Sequence, residues 1–223
     1  MNVALPRSTF SLLVVAVSIS GCSDTGIPVP ETSTTMVEEV SLHQLSEDLA
    51  AGSTTSMTIT AAYIARVEAM DGDLNSVIAI APDALEQAAA SDARRALGEE
   101  FGPLDGIPIL LKDNVDALGM PTTAGSYALE RNLPNRDSEV TRRLRQAGVI
   151  ILGKANLSQF AGFRNTASFN GSTVGGSPKN PYDITRSPAG SSSGSGVATA
   201  MSFAAATIGT ETAGSIVGPS SVN

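Results

Sequence analysis

The side chains able to do covalent or acid–base chemistry are few. The chain has one histidine, His43, one cysteine, Cys22, and lysine only at positions 112, 154 and 179. His43 lies in a short amphipathic segment and reads as a helix residue, so a Ser-His-Asp triad and a histidine-based zinc site are both set aside. The Gly- and Ser-rich stretch in the second half lacks the Gly-Lys-Ser/Thr ending of a phosphate loop and opens no dinucleotide fingerprint. What remains is serine chemistry with a base other than histidine. A serine hydroxyl must lose its proton as it attacks, so a base has to stand within hydrogen-bond reach. Lysine can serve when burial disfavours its charged form. Lys179 sits in a polar loop, Pro178-Lys179-Asn180. Lys112 ends the apolar run Ile107–Leu111, and Lys154 follows Val149–Gly153. Both stand at carboxyl ends of expected strands, where α/β sheets carry their sites. On residue chemistry alone these two lysines are tied.

The elements that must position them are readable from periodicity. Ser41 caps a helix over Leu42–Ala51 that Gly52 ends. Met57 to Met70 is a helix with Ile59, Tyr63, Ile64, Val67 and Met70 on one face. Val77–Ala81 is a short strand, and Pro82 opens an Ala-rich helix reaching about Glu99. Ile109–Leu111 and Val149–Leu152 are fully apolar strands. Between them lies a helix from Asp137 to Gln146, acidic at its start, basic towards its end and followed by Gly148. Apolar strands alternating with helices predict an α/β fold whose sheet is covered on both faces. From Asn165 to Gly196 the chain is dense in Gly, Ser, Asn and Pro, and Val197–Gly209 then returns to core composition. A long loop set inside a compact domain points to function.

A net charge of -8 excludes a surface built for nucleic acid or anionic lipid, which needs clustered Lys and Arg. Arg142, Arg143 and Arg145 read as a solvated helix face. Aromatic residues are 4% of the chain, so the core must be built from Ala, Val, Ile and Leu. The first residues stand apart. Arg7 precedes an apolar run, Thr9–Ile19, that is shorter than the roughly 20 residues of a membrane span. It ends in Ile19-Ser20-Gly21-Cys22, which resembles a bacterial lipoprotein box. The resemblance implies a signal peptide over 1–21, a lipid on the Cys22 thiol and a place in the bacterial cell envelope. A lipid-blocked Cys22 cannot be a nucleophile, and a lone Cys makes no disulfide framework. Residues 22–40 are expected to be a flexible tether, and 41–223 the folded domain.

The lysine tie breaks on pattern. Gly190-Ser191-Ser192-Ser193-Gly194-Ser195-Gly196, followed by Gly209-Thr210-Glu211-Thr212-Ala213-Gly214-Ser215-Ile216-Val217, resembles the signature of the amidase signature family. The likeness extends to Asp105–Asn114, with Lys112 inside it, to Gly153-Lys154-Ala155-Asn156 and to Asn180-Pro181. It implies a mixed β-sheet covered by helices and a Ser-Ser-Lys triad that hydrolyses or transfers amides without cofactor or metal. Ser215 would be the nucleophile, Ser191 the bridging serine, held by a cis peptide bond, and Lys112 the base. The backbone N–H groups of Thr212, Ala213, Gly214 and Ser215 would form the oxyanion hole. Lys154 falls in a family motif outside the triad. Two positions depart from the pattern: many members carry Gly in place of Ala213 and Arg in place of Val217. The triad is untouched by either, so the reaction class is kept and the amide substrate is left open.

The reading is therefore the N-terminal part of an exported amidase acting on a small-molecule amide, in a chain expected to be incomplete at its C-terminus. Two alternatives stay beside it. One is the glutamine-hydrolysing subunit of a tRNA-dependent amidotransferase, against which the lipoprotein box counts. The other is a non-catalytic envelope binding protein on the same fold, against which an intact Lys112, Ser191 and Ser215 count.

Overall fold

The computed structural model describes residues 34, 36–163 and 171–223. The expected signal, Cys22 and the tether up to residue 33 lie outside the described residues. Four strands form one sheet in the order β1-β3-β2-β4, with β1 Val77–Ile80, β2 Pro108–Lys112, β3 Ile150–Ala155 and β4 Ala206–Ile208. β2 runs parallel to β3 and β4, while β1 is antiparallel to β3, so the sheet is mixed. Every side chain of β2 and β3 is buried. Successive side chains of a strand point to opposite faces, so both faces of the central pair are covered.

Among the described residues six α-helices accompany the sheet: α1 Leu42–Ala51, α2 Ser56–Met70, α3 Ala84–Leu97, α4 Glu139–Gln146, α5 Ser193–Ala200 and α6 Val217–Val222. α1 has the expected bounds, with the Ser41 hydroxyl accepting the Gln44 N–H and Gly52 left-handed at the end. α2 is buried more widely than its apolar stripe suggests. Ser56, Thr60, Ala61, Ala62 and Arg66 are buried with Ile59, Tyr63 and Val67, whereas Met70 is exposed. Its first turn is capped from a distance: the Asp92 carboxylate on α3 accepts the N–H groups of Ser56 and Met57 at 2.7 and 3.0 Å. α3 also reaches the sheet, where Gln87 Oε1 accepts the Ile151 N–H at 3.0 Å. Ile151 lies beyond the last paired residues of β1 and β3, Ile80 and Gly153, so this side chain serves a backbone group that the ladder leaves over.

The stretch expected to be a tether is packed against the domain from residue 36 onward. Val37 is fully buried, and the Glu39 N–H donates to Ser202 Oγ at 3.1 Å. The buried Arg66 joins this arm to the corner after α5. It donates to the Thr34 and Met201 carbonyls and pairs with Glu38. A buried guanidinium needs such partners, and no composition signal between 36 and 40 announces them. The second departure is in the Gly/Ser-rich stretch. Residues 165–170 of it lie outside the described residues, and its last four, Ser193–Gly196, are the first turn of α5.

Candidate functional site

The strands deliver two lysines to one end of the sheet and turn them apart. Leu111 is in register with Lys154, and Lys112 with Ala155. Paired residues on parallel strands share a face and neighbours along a strand alternate. Lys112 and Lys154 therefore point to opposite faces.

On one face Lys154 is enclosed with a carboxylate. Its Nζ lies 3.1 Å from Asp113 Oδ1, 2.9 Å from the Val115 carbonyl and 3.2 Å from Thr122 Oγ1. The Asp113 carboxylate also accepts from the Thr123 N–H and hydroxyl. Burial lowers the pKa of Lys154, and the Asp113 carboxylate opposes that shift by supporting the charge. This is a satisfied ion pair.

On the other face Lys112, fully buried, makes two hydrogen bonds, donating to Ser191 Oγ at 2.7 Å and to the Thr210 carbonyl at 3.2 Å. No carboxylate pairs with it among the described residues. Burial alone lowers its pKa, from the usual 10.5 to about 8. At neutral pH an appreciable fraction is then uncharged and able to accept a proton from Ser191, whereas Lys154 faces Asp113 and no serine hydroxyl among the described residues.

Ser191 is presented by the turn into α5, and the Gly190–Ser191 peptide bond is cis. The Ser191 carbonyl accepts the Ser158 N–H at 2.9 Å. The next residue ties this turn to the loop after β4. The Ser192 N–H donates to the Ser215 carbonyl at 3.0 Å, and Ser192 Oγ both donates to the Thr210 carbonyl and accepts the Thr210 N–H. Asn114 Nδ2 donates to Thr210 Oγ1 at 2.9 Å. The Lys112–Ser191 pair at the carboxyl ends of β2 and β4 is thus tied through Ser192 to the loop that carries Ser215, a half-buried residue.

That loop is organised by Glu211. Its carboxylate accepts the N–H groups of Gly214, Ile216 and Val217 at 3.2, 2.6 and 2.8 Å, and these bonds lower its pKa. The path needs a left-handed residue at Gly214, φ 82°, which glycine adopts without strain. Of the four amides expected to form an oxyanion hole, those of Thr212, Ala213 and Ser215 lie on the same loop, while that of Gly214 is turned onto Glu211. Residue chemistry did not single out Thr210, Ser192, Asn114 or Glu211. They all lie inside the runs that carry the family resemblance, and that was the only signal for them.

The arrangement can pass a proton from a serine hydroxyl to a neutral amine in a buried setting. Proteins with related sequences are amide-processing. Residues 58–223 match the amidase family model. A glutamyl-tRNA(Gln) amidotransferase chain of Thermobifida fusca is 43% identical over 185 residues, which cover 82% of this chain and 36% of that protein. The native peptide amidase of Stenotrophomonas maltophilia superposes with a TM-score of 0.80 at 48% identity, covering 82% of this chain and 38% of that one. An amidase family protein of Bacillus anthracis gives a TM-score of 0.79 at 36% identity, covering 84% and 38%. The chain spans little more than a third of the length of these relatives. With the family model matched over most of its length and the fold shared at these identities, the chain belongs to the amidase family.

Proposed function

We propose that the protein carrying this chain hydrolyses a carboxylic amide through an acyl-enzyme on Ser215. The observation that carries the reading is the 2.7 Å bond between Ser191 Oγ and a buried Lys112 that has no carboxylate partner among the described residues. Neutral Lys112 takes the Ser191 proton as Ser191 takes that of Ser215, and Ser215 Oγ attacks the amide carbonyl carbon. The tetrahedral intermediate collapses with cleavage of the C–N bond. The departing amine receives the proton back from Lys112 through Ser191. Water then repeats the relay against the ester, releasing the acid and free Ser215. The backbone amides of Thr212, Ala213 and Ser215 would hold the developing oxyanion, each worth roughly 3 kcal/mol, while that of Gly214 stays on Glu211. The short side chains of this loop suit close approach of a substrate carbonyl.

The base must be neutral to act, which sets the test. The rate of ammonia release from a simple amide, a peptide amide and glutamine should rise about tenfold per pH unit below pH 8. It should level off above the Lys112 pKa of about 8. A rate that falls from pH 6 to 9 with the protein folded contradicts a lysine base.

The relatedness to a glutamyl-tRNA(Gln) amidotransferase favours one second reading, in which the same chemistry releases ammonia from glutamine for a partner. Turnover of glutamine alone among the three substrates supports it. We further propose that the protein is held in the bacterial cell envelope by a lipid on Cys22, on the strength of the run Ile19-Ser20-Gly21-Cys22. Recovery in the membrane fraction, lost with Cys22→Ala, tests this.

A further inference from the structure

The strand-end segment Ala155–Ser158 is bonded to Ser191 and to Asp113, the residue after Lys112. The Ala155 carbonyl accepts the Asp113 N–H at 3.0 Å, directly after Lys112. The Ser158 N–H donates to the Ser191 carbonyl at 2.9 Å, and the Asn156 carbonyl accepts the Gly194 N–H at 3.0 Å. The segment thus holds the turn at Ser191 and again at Gly194 in the first turn of α5. The approach is close enough that a Cβ on Gly194 would lie 2.5 Å from the Asn156 nitrogen and 2.3 Å from the Ser76 carbonyl oxygen. Glycine is required there by space.

The shape of the segment is held by one buried side chain. Asn156 Nδ2 donates to the carbonyls of Asn75, Gly175 and Gly176 at 2.8, 3.1 and 3.2 Å, and its Oδ1 accepts the Leu157 N–H at 2.8 Å. Its backbone N–H donates to the Ser76 carbonyl at 2.8 Å. Donor and acceptor sides of the amide are both used, and the residue is fully buried.

We propose that Asn156 is a positioning residue for the amidase reaction, holding the Ala155–Ser158 segment so that Lys112 and Ser191 meet at hydrogen-bond distance. It touches neither substrate nor the reacting atoms. Its effect passes through the Ser158 N–H and the Asn156 carbonyl to the Ser191 turn, and through the Ala155 carbonyl to the exit of β2. The inference rests on the serine–lysine reading above.

The experiment compares Asn156→Ala, Asn156→Asp and Gly175→Ala in the native protein, with Ser215→Ala in parallel. Asn156→Asp keeps the acceptor for Leu157 and loses the three donated bonds. Gly175→Ala places a methyl 2.8 Å from Asn156 Nδ2 and 2.9 Å from Ile78 Cγ1, so it pushes on the amide without changing Asn156. A displacement of about 1 Å costs on the order of 100-fold in a reaction that depends on alignment. The expected result is a fall of that order in kcat for Asn156→Ala, with KM within about twofold, measured well below its melting temperature. Labelling of Ser215 by a serine-directed phosphonate should slow in parallel. Asn156→Asp, which turns a carboxylate onto three carbonyl oxygens, should show the split at least as strongly. Gly175→Ala should show it to a lesser degree, and it decides the matter if the Asn156 variants do not fold. An unchanged kcat, a change confined to KM, or a loss that follows only the unfolded fraction overturns the inference. Retained turnover in Ser215→Ala brings down the serine–lysine reading itself, and the inference with it.

Discussion

If Lys112 is the base, Lys112→Met should leave a folded protein with amide hydrolysis reduced by on the order of 10²–10⁴-fold, the scale of a general base. The substitution keeps the length and apolar stem of the side chain and removes only the group that accepts the proton. Its effect on stability has the opposite sign. The folded pKa of about 8 lies below the usual 10.5, so between those values the unfolded chain holds more protons than the folded one. Stability from this group therefore rises as pH increases from 8 to 10.5, and the cost of burying the charge is fully present below pH 8. Methionine removes that cost, offset in part by the lost bonds to Ser191 and the Thr210 carbonyl. Steady-state assays and thermal melts at pH 7 should show activity lost on that scale and the melting temperature held or raised. Lost activity with a collapsed melt would mean that Lys112 is a structural residue.

Lys154→Met should do the reverse. The Lys154 and Asp113 side chains are each 1% exposed, so removing the cation leaves a buried carboxylate without its counter-charge. Breaking such a pair from one side costs about 3–5 kcal/mol. The double variant Lys154→Met/Asp113→Leu should cost less than Lys154→Met alone, because no charge is then left behind. Denaturant midpoints measure both, and the fraction that remains folded should keep its turnover. Turnover lost in a stable Lys154→Met protein would transfer the role of base from Lys112 to Lys154.

Sequence chemistry could not separate these two lysines, because the difference between them is one of strand register. Each ends an apolar strand, and only the pairing of Leu111 with Lys154 reveals that they face opposite ways, one towards Asp113 and one towards Ser191. Features set by neighbours in the chain were legible. The Ser41 and Gly52 caps placed α1 to the residue, and the apolar runs placed β2 and β3 within a few residues. Features set by distant partners were not. Asp92 capping α2, Gln87 meeting Ile151 and Arg66 gathering the arm have no local pattern to mark them. The start of α5 was hidden for another reason. Ser193–Gly196 has the composition of a linker because Gly194 must fit against Asn156 and Ser76, and close approach selects the same small residues that flexibility does.

In the proposed reaction Ser215 carries the acyl group during turnover. The native protein can be mixed with a slowly turned-over amide or its activated ester, quenched in acid within a turnover and digested for mass analysis. An acyl adduct is expected on the peptide containing Ser215, absent from Ser215→Ala and strongly reduced in Lys112→Met. An adduct on Ser191 or any other residue, or full turnover by Ser215→Ala, would contradict it.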